Sequence, residues 1–166
     1  RNPFMLRNRS VPDIRLKREN WRQHIPENDA KHLVFLDESG INTDMTRRYA
    51  RAKKDQRAVD STPLNTPATT TILSSIRLDG SCIYTTYQGG TTAERFESYL
   101  ESDLLPTLGP DDIVVMDNMR SHHAKTVKNL LDEKHIQYLY LPPYSPDYNP
   151  IENMWSKIKA NMRKQK

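Results

Sequence analysis

Tyr140-Leu-Pro-Pro-Tyr-Ser-Pro-Asp-Tyr-Asn-Pro-Ile-Glu-Asn-Met-Trp155 is the most informative segment of this sequence. It holds four of the eleven prolines, which fix the backbone φ angle and stiffen an irregular connector. The connector ends at Asn149-Pro150, a pair typical of a helix N-cap followed by proline at the first helical position. Apolar residues then recur at helical spacing from Ile151 to Met162, which predicts an amphipathic helix. A rigid connector therefore delivers Glu152, in the first turn of that helix, to a fixed place.

The composition is that of a globular protein. The 166 residues are 36% hydrophobic and 28% charged, which predicts one domain with a substantial core. The chain contains no apolar run of about 18 residues, so no membrane span is predicted. A single cysteine, Cys82, excludes an internal disulfide and a zinc site built on several cysteines, and it favours a reducing, intracellular setting. Because the chain opens without an initiator Met or a signal-peptide pattern, we expect it to be a fragment.

The net charge of +4 is unevenly placed along the chain. Basic residues dominate residues 44–57 and 156–166, whereas residues 79–117 are rich in acid. A basic periphery around an acidic middle suits a metal-dependent enzyme that acts on a polyanion. Charge alone does not separate this interpretation from ordinary solvated faces.

Strands and helices are predicted to alternate along the chain. In order we expect a basic helix (11–23), a buried strand ending in Asp37 (32–37), a short edge strand (48–50), a Pro/Thr-rich loop (61–67), a hairpin turning at Asp79-Gly80 (69–88), a helix after the capping box Thr91-x-x-Glu94, a buried strand ending in Asp117 (111–117), a helix capped by Ser121, a strand (136–141) and the last helix. This order predicts an α/β fold, with a mixed central sheet flanked by helices. We expect residues 1–30 to form a basic linker with a helix and residues 31–166 to form the catalytic domain.

Three carboxylates are the candidate chemistry. Asp37 and Asp117 each end an apolar strand, at the sheet edge where ligands bind in open α/β folds, and Glu152 begins a helix. Carboxylates brought together there raise one another's pKa unless cations lie between them. Oxygen ligands suit Mg²⁺ or Mn²⁺, and two such ions about 3.5–4 Å apart assist phosphodiester displacement. Each residue also has a structural alternative: a turn cap for Asp37, an Asx-turn for Asp117 and a helix capping box for Glu152.

Three blocks of sequence together resemble the catalytic domain of DDE transposases. They are Leu36-Asp-Glu-Ser-Gly40, Val114-Val-Met-Asp-Asn118 and the proline-rich block Leu141–Trp155. The resemblance is to the mariner-like superfamily, in its bacterial insertion-sequence-630 branch, and it runs from about residue 32 to residue 163. The 34 residues between Asp117 and Glu152 match a spacing that this superfamily uses, and the proline-rich block is the most specific signal.

The resemblance implies an RNase H-like fold with a two-metal site for Mg²⁺ or Mn²⁺. Asp37 would bridge the two ions, with Asp117 on one and Glu152 on the other. It also implies cleavage at transposon ends and joining of the freed 3′-hydroxyl to target DNA, a homodimer in the synaptic complex, and a place at the nucleoid in the bacterial cytoplasm. Family members usually carry an upstream helix-turn-helix region. The residues before His32 leave no room for one, so we expect weak, sequence-tolerant activity from this fragment.

Further side chains are predicted to contact DNA, through phosphates rather than bases. They are Arg47, Arg48, Arg51, Lys53, Lys54, Arg57 and His122. For His122, packing at a helix terminus is the alternative, and zinc is disfavoured because no Cys or His partner stands at zinc spacing. Tyr144 and Tyr148 are expected to pack, with base stacking as the alternative.

Rival functions remain open at this point. A nuclease that cuts without strand transfer would use the same fold and ions. A catalytically silent DNA-binding or assembly module is expected to lack one of the carboxylates, and none is missing. An aspartyl-phosphate phosphotransferase fits poorly, because Ser39 stands where its second Asp is expected.

Overall fold

The computed structural model describes residues 12–25, 28–42, 52–57, 59 and 69–164. The predicted edge strand at 48–50, the loop at 61–67 and the phosphate contacts of Arg47, Arg48 and Arg51 lie outside the described residues. The main elements in chain order are α1 (Pro12–His24), β1 (Leu33–Ile41), β2 (Thr70–Ile76), β3 (Cys82–Gln88), α2 (Ala93–Tyr99), β4 (Ile113–Met116), α3 (Lys125–Glu133), β5 (Gln137–Tyr140) and α4 (Ile151–Lys164). Shorter helical turns span Ala30–His32, Leu100–Leu104, Leu105–Thr107 and Pro146–Tyr148.

The sheet has five strands in the order β3-β2-β1-β4-β5. β1, β2 and β3 pair antiparallel, whereas β1, β4 and β5 pair parallel, so the predicted mixed sheet is confirmed. The hairpin turn between β2 and β3 lies at the predicted Asp79-Gly80. Gly80 has a φ of 85°, which glycine adopts readily because it has no Cβ. Because β1 lies at the centre of the sheet, it joins the antiparallel strands β2 and β3 to the parallel strands β4 and β5.

Two apolar clusters cover the two faces of this sheet. Side chains alternate between faces along a strand, so β1 sends Val34 and Leu36 to one cluster and Leu33 to the other. The larger cluster includes buried residues of α2, the turn after it and α3, among them Phe96 and Leu131. The smaller cluster packs against Trp21, Ile25 and Tyr148, so α1 and the proline-rich connector lie on the opposite face.

The last helix follows the predicted pattern. Ile151 and Trp155 are buried, and Ile158 and Met162 are half-buried at the next steps of the same stripe. Because these residues lie one turn apart, one side of α4 packs inward and the other side carries its charges. No helix in the described part of the chain is long and apolar enough to cross a membrane.

Three local predictions were wrong. β1 does not end at Asp37; it continues to Ile41, because β2 pairs with it as far as Ile41↔Thr70. Ser121 does not cap the next helix, which begins at Lys125 after an N-cap at Ala124, and the buried Ser121 hydroxyl has no hydrogen-bond partner among the described residues. The predicted capping box placed the N-cap of α2 at Thr91, but the N-cap is Thr92, whose hydroxyl accepts a hydrogen bond from the Arg95 N–H.

Candidate active site

Asp37 lies in the middle of β1, just beyond its pairing with β4. The parallel pairing of β1 with β4 ends at Phe35↔Val115. The residues that follow on the two strands therefore lie at an open edge of the sheet. The Trp155 indole N–H of α4 donates a hydrogen bond to Asp37 Oδ2 over 3.1 Å. Burial, together with the nearby charges of Glu152 and Asp117, raises the pKa of Asp37 to about 7. A second negative charge close by is therefore unfavourable unless a cation is present.

Asp117 follows directly after β4, at the same register as Asp37 on the neighbouring strand. Its Oδ1 accepts a hydrogen bond from the Met119 N–H at 2.9 Å, which is the Asx-turn considered from the sequence. The same oxygen lies 2.9 Å from His122 Nδ1. Burial acts to raise the pKa of Asp117, but the hydrogen bond and charge of His122 outweigh it and lower that pKa. Of the two aspartates, Asp117 therefore has the lowered pKa and Asp37 the raised one, so Asp117 ionises more readily.

Glu152 is placed by Asn149 and the first turn of α4. The buried Asn149 side chain donates from Nδ2 to the Leu36 carbonyl at 3.2 Å and accepts from the Ile151 N–H at 3.4 Å. The start of the helix is thereby tied to the β1 residue that precedes Asp37. Burial raises the pKa of Glu152; Lys159 acts against this rise and Asp117 adds to it.

The structure brings all three predicted carboxylates to one cavity of about 300 Å³. Its lining is completed by Asn118, Met119, Leu141, Pro142, Tyr144, Ser145, Pro146 and Asn149. The proline-rich connector thus forms one wall, and the strand ends form the other. In the described part of the chain, no three His, Cys, Asp or Glu side chains, these three carboxylates included, are grouped so that they could hold a metal ion by themselves.

His122 was predicted to contact a DNA phosphate, and its position contradicts this prediction. Its side chain is 0% exposed, and the ring lies 4.1 Å from that of Phe96, between centroids, within the larger core cluster. A ring enclosed in this way has no face to offer to a phosphate. Its Nε2 lies 3.0 Å from Glu38 Oε1, a buried carboxylate that is not among the predicted site residues. The neighbouring His123 is exposed and stacks on Tyr140.

Helix α1 packs against the connector that carries the cavity wall. Arg18 donates to Ser145 Oγ at 2.6 Å and to both carboxylate oxygens of Asp147, at 3.2 and 2.7 Å. The Arg18 guanidinium also lies 4.3 Å above the centre of the Tyr148 ring. Tyr148 therefore packs, as expected, whereas Tyr144 lines the cavity with a backbone φ of 55°. The Trp21 side chain of α1 contacts the smaller core cluster.

Of the predicted phosphate-binding residues in the basic segment 47–57, the structure describes Lys53, Lys54 and Arg57, and all three are exposed. Exposed basic side chains keep their charge available to a polyanion, so this exposure is consistent with the predicted role.

Several known transposases are similar to this chain. The Tcb2 transposable-element transposase of Caenorhabditis briggsae is 32% identical over 72 residues, which cover 41% of this chain and 26% of that protein. The Tc1 transposase of Caenorhabditis elegans is 28% identical over 67 residues, which cover 40% of this chain and 24% of that protein. Only a part of each relative is therefore represented here.

Solved structures show the same fold. The Mos1 transposase paired-end complex with the left transposon end superposes with a TM-score of 0.72 at 20% identity, covering 98% of this chain and 50% of that one. A Mos1 paired-end complex with Mn superposes with a TM-score of 0.67 at 22% identity, covering 90% of this chain and 46% of that one. The expected RNase H-like fold is confirmed by this match.

A family model extends over most of the chain. The model described as DDE superfamily endonuclease matches residues 32–166, which include all three carboxylates and every strand of the sheet. The chain belongs to the DDE superfamily of endonucleases.

Proposed function

We propose that this chain is the catalytic domain of a DNA transposase, a Mg²⁺- or Mn²⁺-dependent polynucleotidyl transferase. The observation that carries the proposal is the meeting of Asp37, Asp117 and Glu152 in one cavity of an RNase H-like fold. The Tc1-type relatives and the Mos1 structures to which this chain is similar are transposases, which favours transposition over other reactions of this superfamily. The proline-rich block further supports placing the chain in the bacterial insertion-sequence-630 branch.

The donor set fits a divalent cation. Burial first, and then the charges of Glu152 and Asp117, raise the pKa of Asp37 to about 7, so a cation bound beside it would relieve the repulsion among the carboxylates. Mg²⁺ retains several water ligands and commonly uses only one or two carboxylates plus phosphate oxygens. An incomplete protein ligand set therefore suits this ion, and we assign Asp37, Asp117 and Glu152 as its ligands, with two ions bound in the complex with DNA.

The bound ions would supply charge stabilisation at the attacking and leaving oxygens of the phosphodiester. The chain's own residues hold the carboxylates in register and enclose the reacting phosphate. In the first step water attacks phosphorus and the bond to the 3′-oxygen breaks, which frees a 3′-hydroxyl at the transposon end. In the second step that hydroxyl attacks a phosphodiester of target DNA, and the target strand's own 3′-oxygen leaves. No covalent bond to the protein is needed.

The partners follow from this reaction. DNA phosphates are assigned to the basic segment that contains Lys53, Lys54 and Arg57, together with Arg47, Arg48 and Arg51. A homodimer that holds two transposon ends, and a place at the bacterial nucleoid, complete the proposal. The Mos1 relatives whose structures are paired-end complexes support the pairing of ends by analogy.

A joining assay tests this function. A short duplex with a free 3′-hydroxyl, labelled at its 5′ end, is incubated with supercoiled plasmid, Mn²⁺ and the protein, beside Glu152→Gln. We expect labelled plasmid with the wild type and none with the variant. Plasmid nicking without transfer of the label would support the nuclease alternative. Absence of both products, together with DNA binding, would support the silent DNA-binding module.

A further inference from the structure

A buried chain of side chains lies behind the catalytic Asp117. His122 is enclosed between two carboxylates, with Nδ1 2.9 Å from Asp117 Oδ1 and Nε2 3.0 Å from Glu38 Oε1. The exposed fractions of the His122 and Glu38 side chains are 0% and 8%, whereas that of Asp117 is 39%. An ionised carboxylate only accepts hydrogen bonds, so each ring nitrogen donates to its own partner. The hydrogen-bonded series of Glu38, His122 and Asp117 therefore runs from the protein interior outwards to the cavity.

Neighbouring residues fix the histidine from every side. The Phe96 ring lies against it, and the Tyr140 hydroxyl donates to the His122 backbone carbonyl at 2.9 Å. Glu38 follows Asp37 on β1 and points to the opposite face of the sheet, because side chains alternate along a strand. One strand thus supplies a cavity carboxylate at Asp37, and through Glu38 and His122 it also restrains the carboxylate of Asp117.

A purely stabilising role does not account for this arrangement. Buried ion pairs contribute little net stability, since the cost of removing the charges from water offsets their attraction. Glu38 Oε2 is buried and has no hydrogen-bond partner among the described residues, which adds a further cost. An apolar residue of similar size would fill the same space without that cost. What the carboxylate does provide is a fixed acceptor for His122 Nε2.

We propose that Glu38 is a positioning residue for phosphoryl transfer, acting through His122 to fix the orientation of the Asp117 carboxylate towards the cavity. This inference rests on the proposed function of the cavity. Asp117 Oδ1 receives both the His122 and the Met119 hydrogen bonds, and Oδ2 takes part in none among the described residues. The restraint therefore leaves one oxygen in a defined place for a cation. Side chains that orient metal ligands in this way typically change metal affinity by about 10–100-fold when removed.

The test compares Glu38→Ala and Glu38→Gln with the wild-type chain. Gln keeps a carbonyl oxygen that accepts from His122 Nε2, whereas Ala keeps nothing. The matched control is Asp112→Asn at the other end of β4. Asp112 is likewise a buried carboxylate paired with a histidine, His32 Nδ1, at 3.3 Å.

Two readouts are measured on each folded variant. Mn²⁺ affinity is obtained from the electron paramagnetic resonance signal of free Mn²⁺. Hydrogen exchange of the Met119 amide, measured by NMR without metal, reports whether Asp117 Oδ1 is still held in its turn. The second readout requires neither metal binding nor catalysis.

For Glu38→Ala we expect Mn²⁺ affinity to fall about 10–100-fold and Met119 exchange to accelerate at least about tenfold. Glu38→Gln should restore most of both, and Asp112→Asn should change neither, although it also loses stability. Wild-type values of both quantities in a folded Glu38→Ala variant would overturn the inference. If the wild type binds no Mn²⁺ either with or without a short DNA duplex, the proposed metal function fails, and Met119 exchange alone then decides whether Glu38 positions Asp117.

A second pair of variants covers the case in which Glu38→Ala does not fold. The amide nitrogen of Asn matches imidazole Nδ1, and that of Gln matches Nε2. We expect His122→Asn, which can still donate to Asp117, to protect the Met119 amide better than His122→Gln. Equal protection in the two variants, or the reverse order, would overturn the inference.

Discussion

The indole N–H of Trp155 donates a hydrogen bond to Asp37 Oδ2 over 3.1 Å, and this contact joins the last helix to the central strand of the sheet. Trp155 is 3% exposed, so it fills the space between α4 and the sheet as well as orienting the carboxylate. One side chain therefore couples packing of the helix that carries Glu152 to the geometry of Asp37.

Replacing Trp155 with Phe removes that hydrogen bond and keeps most of the aromatic surface. We expect a loss of about 1–3 kcal/mol in the free energy of unfolding, from the lost hydrogen bond to a charged group and the smaller ring. Urea denaturation measures it. Trp21→Phe on α1, which removes the same indole N–H but has no contact with Asp37, is the control for a general effect of tryptophan loss. The coupling between α4 packing and Asp37 would be contradicted if Trp155→Phe and Trp21→Phe lost equal stability and neither variant changed Mn²⁺ binding.

The raised pKa of Asp37 predicts how stability depends on pH. The folded protein holds a proton on this group up to about pH 7, whereas the unfolded chain releases it near the ordinary value of 3.8. The folded state therefore binds more protons between these values, and the contribution of Asp37 to stability falls as pH rises from about 4 to about 7.

Asp37→Asn isolates this contribution. We expect the variant to be more stable than the wild type at pH 8 without metal, and the difference to shrink towards pH 4. Thermal unfolding in a pH series measures both proteins. A stability difference that is independent of pH would show that Asp37 has an ordinary pKa.

Asn149 predicts a second link between stability and the site. Asn149→Ala removes the contact to the Leu36 carbonyl and the contact from the Ile151 N–H, so we expect a loss of about 1–3 kcal/mol in stability. Because α4 then loses its tie to β1, strand joining should fall by more than DNA binding. Asn153→Ala, at an exposed position of the same helix, is the matched control and should change neither. A joining rate unchanged in Asn149→Ala would contradict this role.

The contacts of Arg18 predict that α1 is an integral part of the folded domain. The sequence instead predicts a domain boundary between residues 30 and 31, which leaves α1 outside the catalytic domain. That boundary stays a prediction. Arg18→Ala should lower stability by about 1 kcal/mol, since the ion pair with Asp147 is partly exposed. It should also accelerate amide exchange across α1. Lys17→Ala, which breaks the exposed pair of Lys17 with Asp13 on the same helix, should have a much smaller effect. Equal effects would show that α1 is not docked through Arg18.

The sequence identified the three carboxylates because each stands at a local landmark. Two lie where apolar runs end, and the third follows a proline-stiffened N-cap. These short-range patterns made the three residues candidates, and their combination, with its resemblance to DDE transposases, singled them out. The paired hairpin at Asp79-Gly80 was found for the same reason.

Tertiary contacts explain what the sequence did not show. β1 extends beyond Asp37 because β2, a separate strand later in the chain, supplies pairing partners up to Ile41. His122 looked available to DNA from its place after Asn118, but Phe96 and Glu38 enclose it from other elements. The docking of α1 through Arg18 likewise depends on a residue 129 positions away. No local pattern reports such contacts.

Titration of Mn²⁺ into the purified wild-type domain and into Asp117→Ala, followed by thermal unfolding, tests the proposed metal site. A ligand that binds only the folded state raises the melting temperature in proportion to its occupancy. We expect a rise that saturates with Mn²⁺ in the wild type and is absent in Asp117→Ala. An equal rise in both proteins, or no rise in the wild type with and without a short DNA duplex, would contradict a metal site at these three carboxylates.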